Sequence, residues 1–224
     1  CVNRPNDIPS VVRKLSNKSV LNLGYGRNGP LIEYATLREY LPQNSKKIIF
    51  MYYGGNDLDN LNDELNKNIL NKYTQDLNFN QNLKNIQNNI DKIKRKNILV
   101  RSKGENYKFL KLKKLRNYFK NKTLGFSRSK KNNQIYKFDI FENILILIKN
   151  LSIQNKSEFY FVYLHSKRYF DSNSAESPDL KYFDKIRSIA EKLNIKFIDI
   201  HKEVFEKEKN PKELFPFGMY GHYN

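Results

Sequence analysis

The sequence predicts an α/β fold built on a mostly parallel sheet, and two observations carry this prediction. Four short runs are almost continuously apolar, which is typical of strands buried on both faces of a parallel sheet. Patterns with helical spacing lie between these runs, and strands that alternate with helices indicate a layered α/β arrangement. The four predicted strands are VLNLG (20–24), IIFMYY (48–53), FYFVYL (159–164) and KFIDI (196–200).

Three helices are predicted from their first residues. Pro30 suits the first position of a helix, Asp139 and Glu142 form a start that resembles a capping box, and Ser177-Pro178 opens a third helix. Apolar residues follow each start at helical spacing: Leu31, Tyr34, Ala35 and Leu41 in the first helix, Ile144, Leu145, Ile148 and Leu151 in the second, and Leu180, Phe183, Ile186, Ala190 and Leu193 in the third.

The composition is that of one globular domain. With 224 residues, of which 39% are hydrophobic and 13% aromatic, the chain can bury a sizeable core. Its longest apolar stretch, ENILILIKNL, is interrupted by charge, so no membrane span is expected. Cys1 is the only cysteine, which excludes an internal disulfide and a thiolate metal site. The compartment stays unknown: a cytoplasmic and a membrane-associated protein both fit this sequence, and Cys1 would carry a lipid if it were a processed lipoprotein N-terminus.

The formal net charge of +18 comes mainly from one segment. Between Lys92 and Lys131 there are 16 Lys/Arg residues and a single acidic residue, Glu105, so this segment has a net charge of +15. Lysine outnumbers arginine 31 to 10 in the chain. Because arginine is the better ligand for phosphates and bases, this ratio argues against specific nucleic-acid binding.

Residues at about 66–134 interrupt the alternation of strands and helices, and we expect them to be a basic, largely helical insertion in a single α/β domain spanning 1–224. Within them, YKFLKLKKLRNYFK (107–120) has the spacing of a basic amphipathic helix. One interpretation is an elaborated surface helix with solvated lysines. The other is that residues 92–131 dock onto an anionic membrane surface or polymer.

Two glycine-bearing turns follow the first two predicted strands, where α/β proteins bind ligands. GYGRNG (24–29) matches the dinucleotide-binding pattern G-x-G-x-x-G. In that pattern the helix starts within the loop, whereas Pro30 places the start after it. The acidic residue expected about 20 positions later is also missing. We therefore expect no dinucleotide and no other cofactor, and a purely structural turn is one alternative.

The second turn, Gly54-Gly55-Asn56-Asp57, offers a different chemistry. The side-chain amide of Asn56, together with backbone N–H groups of the first turn, could form an oxyanion hole. Asn-Asp after Gly-Gly is also ordinary turn chemistry. A histidine on a late loop, such as His222, would complete a catalytic constellation with these donors.

Three segments in this order, LNLGYGRNGP, YYGGND and GHYN, resemble motifs of the SGNH/GDSL hydrolase family, most closely a bacterial branch with NLG-x-G-x-NGP and YY-x-GND-L. The resemblance covers roughly residues 1–65 and 136–224. It implies a flavodoxin-like three-layer α/β/α sandwich and a serine hydrolase acting on an acyl or acetyl ester of a carbohydrate, a lipid or a small molecule. Two alternatives stay open: an O-acyltransferase that modifies a polysaccharide at the same site, and a non-enzymatic cationic protein that binds a membrane or polyanion.

The resemblance also implies which residues form the site. Asn56 matches the oxyanion asparagine, His222 the general base, and Gly26 or Arg27 the backbone N–H donor. No metal is implied. Four further residues of the matching segments are expected beside the substrate: Gly24, Gly29, Gly55 and Tyr220.

The chain departs from the family pattern at two points. It has no Gly-Asp-Ser block, so the resemblance places the nucleophilic serine shortly before Cys1, together with the first strand of the sheet. Met219 stands where the family often has an acid, three residues before His222. We therefore expect the 224 residues by themselves to be inactive.

The other polar residues near strand ends have structural interpretations. His165 and His201 are expected to be structural or to lie at the rim of the site, and their spacing with His222 is not that of metal ligands. Ser166 lacks the G-x-S-x-G turn that would expose a nucleophile. Asp199 is expected to cap a strand end, and the alternative is that it orients His222.

Overall fold

The computed structural model describes residues 4–110, 135–166 and 178–215. In these ranges the chain forms eight α-helices and a three-stranded sheet, which confirms the predicted mixed α/β class. The chain divides into two compact units. The first combines Cys1–Phe79 with Tyr136–Asn224, and the second is Asn80–Ile135.

The first unit contains the whole sheet. Its first part has α1 (Ile8–Ser16), α2 (Pro30–Tyr40), β1 (Lys47–Tyr53), α3 (Asp57–Glu64) and α4 (Asn68–Gln75). The second unit contains α5 (Gln87–Leu110). The first unit then resumes with α6 (Phe138–Gln154), β2 (Glu158–Leu164), α7 (Pro178–Lys192), β3 (Lys196–Asp199) and α8 (Ile200–Glu203), followed by two short 3-10 helices, Phe205–Lys207 and Pro211–Leu214.

The three strands lie in the order β1-β2-β3, and both neighbouring pairs are parallel. Tyr53 lies opposite Leu164, and Tyr163 lies opposite Asp199, so the carboxyl ends of all three strands lie at one edge of the sheet. Three of the four predicted strands are therefore confirmed.

Aromatic side chains form the centre of the core on one face of the sheet. The ring of Phe161 on β2 is fully buried, and its centroid lies 5.5 Å from that of Tyr52 on β1 and 6.3 Å from that of Phe141 on α6. Helices α2, α6 and α7 cover these rings with the apolar residues predicted from helical spacing, including Leu31, Tyr34, Ile144, Leu145, Ile148, Ile186 and Ala190.

The segment 20–24 is not a strand, so this prediction is wrong. Nearby side chains bind its backbone: the Arg13 guanidinium donates to the Val20 carbonyl oxygen at 2.7 Å, and the Gly24 N–H donates to the Asn22 side-chain oxygen at 3.0 Å. Leu21 is 58% exposed. A short apolar run becomes a strand only where a neighbour satisfies its backbone groups, and within the described ranges β1 pairs with β2 alone.

Strand β1 also differs from the prediction of burial on both faces. Ile48, Phe50 and Tyr52 are buried, whereas Ile49 is 49% exposed. Successive side chains of a strand point to opposite faces. The buried residues of β1 belong to the core that α2 and α6 cover, whereas the opposite face leaves Ile49 half-exposed.

The helix starts agree with the sequence except in one case. Helix α2 begins at Pro30, after the GYGRNG turn, and α7 begins at Pro178; Ser177 lies outside the described residues. Helix α6 begins at Phe138, with Lys137 at the N-cap and no side-chain cap. The predicted capping box is therefore wrong, because Asp139 is already in the first helical turn, where its charge interacts favourably with the helix dipole.

Helix α4 belongs to the first unit, although the insertion was predicted to begin at about residue 66. The Tyr73 side chain is buried, and its hydroxyl donates to Glu39 on α2 at 2.5 Å. Arg38 on α2 supplies donors for the free carbonyl groups at the end of α4. Its guanidinium donates to the carbonyl oxygens of Tyr73, Asp76, Leu77 and Phe79.

Aromatic residues of the first unit stand at both junctions with the second unit. Phe79 and Tyr136 pack against the core of the first unit. The Phe79 ring meets the Tyr73 ring edge-on at 4.9 Å, and the Tyr136 hydroxyl donates to Asp59 at 2.6 Å. These contacts fix both ends of the chain segment that enters and leaves the second unit.

Helix α5 is the main element of the second unit in the described ranges. It contains residues 107–110 of the predicted basic amphipathic helix, and residues 111–120 lie outside those described. Among the helices described, none combines the length and the apolar composition that crossing a membrane requires.

Candidate active site

Three pairs of polar residues meet at the carboxyl edge of the sheet. The Gly54-Gly55-Asn56-Asp57 turn follows β1, and its Gly54 N–H donates to the carbonyl oxygen of Leu164 at the end of β2 at 2.9 Å. His165 and Ser166 follow β2 directly, and Asp199 and His201 stand at the end of β3. The register therefore brings the second predicted turn next to two residues that sequence reasoning had treated as structural.

Gly55 allows the close approach between the turn and the end of β2. A Cβ atom at this position would lie 3.1 Å from the Ser166 Cβ and 2.5 Å from a ring carbon of Tyr53. Both distances are too short for unstrained contacts, so a side chain here would force a shift. Only glycine fits the turn as it is built.

The side chain of Asn56 is not used by the helix that follows it. Asn56 occupies the N-cap position of α3, with φ −157° and ψ −2°, but makes no side-chain cap. The neighbouring Asp57 is buried, and its Oδ2 accepts the Tyr53 N–H at 2.7 Å. The Asp57 contact holds the turn against β1, which leaves the Asn56 amide for other interactions.

The GYGRNG turn is exposed over most of its length. Gly24, Tyr25, Gly26 and Arg27 are exposed, and a Cβ atom at Gly26 would meet no other atom within 4 Å. Arg27 has a φ of 72°, in the left-handed region that favours glycine. The backbone at 26–27 therefore borders open space, as a donor to a bound oxyanion must.

A buried carboxylate joins the end of the GYGRNG turn to α3, the helix that follows the second turn. Glu64, the last residue of α3, accepts the N–H groups of Gly29 at 2.5 Å, Leu31 at 3.0 Å and Ile32 at 3.3 Å. Pro30 has no N–H, and the Gly29 N-cap has no side chain, so Glu64 satisfies the donors that the start of α2 leaves free. Asn60 adds a bond from its amide to the Asn28 carbonyl oxygen at 3.3 Å.

Gly29 itself lies inside this junction. It is buried, its N–H is bound to Glu64, and a Cβ atom there would lie 2.7 Å from the Asn60 Cβ. The structure therefore assigns Gly29 to the contact between α2 and α3. Contact with substrate at this residue, as at Gly24 and Gly55, stays a prediction.

Glu33 and Asp57 lie near Glu64. Burial raises the pKa of Glu33 well above its ordinary value, and the negative charges of Asp57 and Glu64 raise it further. Burial also raises the pKa of Glu64, while the N–H groups of Gly29, Ile32 and Leu31 oppose that shift. The Glu33 carboxyl group is therefore the member of this cluster that the fold disfavours most when charged.

We expect Glu33→Gln to raise the free energy of unfolding at neutral pH, because an uncharged amide has no ionised form to desolvate. Because the pKa of Glu33 is higher in the folded protein than in the unfolded chain, the native protein loses stability as the pH rises from the unfolded-state pKa through the folded-state pKa. The gain should therefore shrink below pH ~4.5, where Glu33 is protonated in both states. Urea denaturation at several pH values measures it, with Glu208→Gln at an exposed glutamate as the control; a gain that does not change with pH would contradict this account.

A buried histidine and an aspartate link the ends of β2 and β3. The His165 Nε2 lies 3.1 Å from the Asp199 Oδ1, and His165 is fully buried between the rings of Tyr163 and Phe183. Burial lowers the pKa of His165 to about 4, although the charge of Asp199 acts in the opposite direction. The histidine is thus neutral at pH 7.

Asp199 has two roles, of which the sequence indicated one. Its Oδ1 accepts the His201 N–H at 2.9 Å, which confirms the predicted cap at the end of β3. Its contact with His165 was missed. Both residues stand at the ends of predicted strands, which is the only indication of this contact in the sequence. The contact can be predicted from it only when the order of the strands is known.

The remaining predicted residues, His222, Tyr220 and Met219, lie outside the described residues. The structure binds the end of the GYGRNG turn to α3, the helix whose N-cap is Asn56. The approach of Asn56 to Gly26 or Arg27, like that of the histidine, stays a prediction. In the described ranges, no cluster of three or more His, Cys, Asp or Glu side chains is arranged to hold a metal ion.

Comparisons of the chain with family models, with curated proteins and with solved structures give no match.

Proposed function

We propose that this chain is the larger part of an SGNH-type serine hydrolase, acting on an acyl or acetyl ester of a carbohydrate, a lipid or a small molecule. One observation supports this most strongly. Glu64 and Asn60 of α3 bind Gly29 and Asn28, so the turn that carries one predicted oxyanion donor is held against the helix that begins after Asn56, the other.

In the proposed mechanism, His222 takes a proton from a serine hydroxyl, and the serine oxygen attacks the ester carbonyl carbon. The Asn56 amide and the backbone N–H of Gly26 or Arg27 donate to the negatively charged oxygen of the tetrahedral intermediate. The protonated histidine returns the proton to the departing alcohol, and water then releases the acyl group by the same steps. The resemblance implies that this serine belongs to a Gly-Asp-Ser block, which residues 1–224 do not contain.

We also propose the flavodoxin-like three-layer arrangement for the complete sheet. In the described ranges β1 pairs with β2 alone, and the apolar segment 20–24 belongs to no strand and has Leu21 exposed. Exposed aliphatic side chains occur on β1 and on α1, whose Leu15 is 80% exposed. A strand inserted between 20–24 and β1 would satisfy both backbones and cover this surface, and in this sheet order that strand ends at the catalytic serine.

The test is Asn56→Ala in the chain joined to the residues encoded before Cys1. We expect kcat for p-nitrophenyl acetate to fall on the order of 100-fold with little change in KM, because the amide binds the oxyanion rather than the substrate. Asn66→Ala, at an exposed asparagine just after α3, is the matched control and should leave kcat unchanged. Unaltered hydrolysis by the folded Asn56→Ala variant, or an equal loss in both variants, would refute the proposal.

Transfer of the acyl group to a sugar would use the same oxyanion donors, and a hydroxyl group of the sugar would attack in the place of water. Adding a soluble polysaccharide to the assay separates the two reactions. A hydrolase releases all of the acyl group as free acid, whereas recovery of the acyl group on the polysaccharide would identify a transferase.

A further inference from the structure

Helix α5 carries an uncharged stripe with cations on both sides. Ile90, Ile93 and Val100 are spaced by three and seven residues, so they share one face of the helix. Ile93 is 61% exposed and Val100 62% exposed. These three residues are called the α5 stripe below. Lys94 follows Ile90 by four residues and Lys96 follows Ile93 by three, so one lysine lies along each side of the stripe.

We propose that the α5 stripe docks onto the surface of an anionic lipid bilayer. An interfacial helix inserts its aliphatic face at the boundary of headgroups and acyl chains, while flanking lysines extend their ammonium groups to the lipid phosphates. The stripe has both parts of this arrangement. The charge fits as well, because residues 92–131 contain 16 Lys/Arg and one acidic residue.

A bilayer fits this surface better than a nucleic acid does. Proteins that bind single strands use aromatic rings to stack bases, and residues 87–100 contain none. Backbone phosphates alone would engage the cations without using Ile93 or Val100, which would stay in water. Only a partner with an apolar layer beneath its anionic groups uses both features of the stripe.

The test is flotation of the full chain with vesicles of phosphatidylcholine alone or with about one-third phosphatidylglycerol. We expect binding to the anionic vesicles that weakens as salt is raised, and little binding to the neutral ones. Ile93→Ser should weaken partitioning about tenfold, and more when combined with Val100→Ser. Leu99→Ser is the matched control, because Leu99 is also 61% exposed but lies on another face of α5; it should change partitioning by less than about twofold.

A second pair of variants tests the cations. Lys94→Gln/Lys96→Gln should weaken binding to anionic vesicles on the order of tenfold, and more than Lys92→Gln/Arg95→Gln, which removes the same charge from the rest of the helix. Circular dichroism checks that each variant folds. The proposal is overturned by a full chain that does not bind anionic vesicles, by equal losses in Ile93→Ser and Leu99→Ser, or by tighter binding to duplex DNA that is indifferent to Ile93. Flotation does not depend on ester hydrolysis, so a failed docking surface and a failed active site are distinguishable.

Discussion

Glu64→Ala is expected to lower the free energy of unfolding by about 3 kcal/mol or more. The substitution removes the acceptor of three N–H groups at the start of α2, of which those of Gly29 and Leu31 are buried. A buried donor without a partner costs about 1–3 kcal/mol, and water replaces a carboxylate poorly in a site this enclosed. The loss should also loosen the contact between α3 and the start of α2.

Urea denaturation at pH 7 measures this effect, with Asp63→Ala as the matched control. Asp63 is the preceding residue of α3 and is exposed, so its removal should change stability by less than about 0.5 kcal/mol. Glu64→Gln keeps one acceptor oxygen and should fall between the two. Similar stabilities for Glu64→Ala and Asp63→Ala would mean that the N–H groups find other partners and that Glu64 does not stabilise the contact between α3 and α2.

Acidification is expected to destabilise the protein by on the order of 3 kcal/mol between pH 6.5 and pH 4 through His165 alone. The pKa of His165 falls from 6.5 to about 4 on folding, because the fully buried ring is costly to charge. Below pH 6.5 the unfolded chain binds a proton that the folded chain does not, so stability decreases as pH falls. The decrease ends near pH 4, where the folded protein also binds the proton.

The difference between the native protein and His165→Gln isolates this contribution, since glutamine does not titrate. The variant should be the less stable protein at pH 7, where it loses the contact with Asp199, and its stability should fall less steeply between pH 6.5 and pH 4. His201→Gln, at the less buried histidine, is the control and should keep the steep profile. Parallel profiles for the native protein and His165→Gln would show that His165 charges normally in the fold.

The sequence predicted the parts of the fold in which local pattern and tertiary environment agree. The predictions of β2 and of the start of α2 are confirmed. An apolar run favours a strand, and a proline such as Pro30 favours the first position of a helix. The run 20–24 has the same local pattern as β3, but a strand also needs a neighbour, and composition does not report one. The start of α6 was misplaced because Asp139 suits both an N-cap and a first helical turn.

The candidate site was predictable to a similar degree. Asn56 and the two turns stand out in the sequence because their residue types have few uses at strand ends. Glu64 does not stand out, since a glutamate at the end of an amphipathic helix is ordinary until its position against residues 29–32, more than 30 positions earlier, is known. The pairing of His165 with Asp199 likewise depends on the order and register of β2 and β3.

The two aromatic anchors at Phe79 and Tyr136 have a consequence for how this protein can evolve. Because each ring is bound within the first unit, the ends of the segment 80–135 are held in place whatever the sequence of that segment. Its length and sequence can vary without disturbing the sheet, which is the condition under which insertions are tolerated. On the two proposals made above, a change within this segment alters the attachment of the protein to a bilayer and leaves the residues at the strand ends in place.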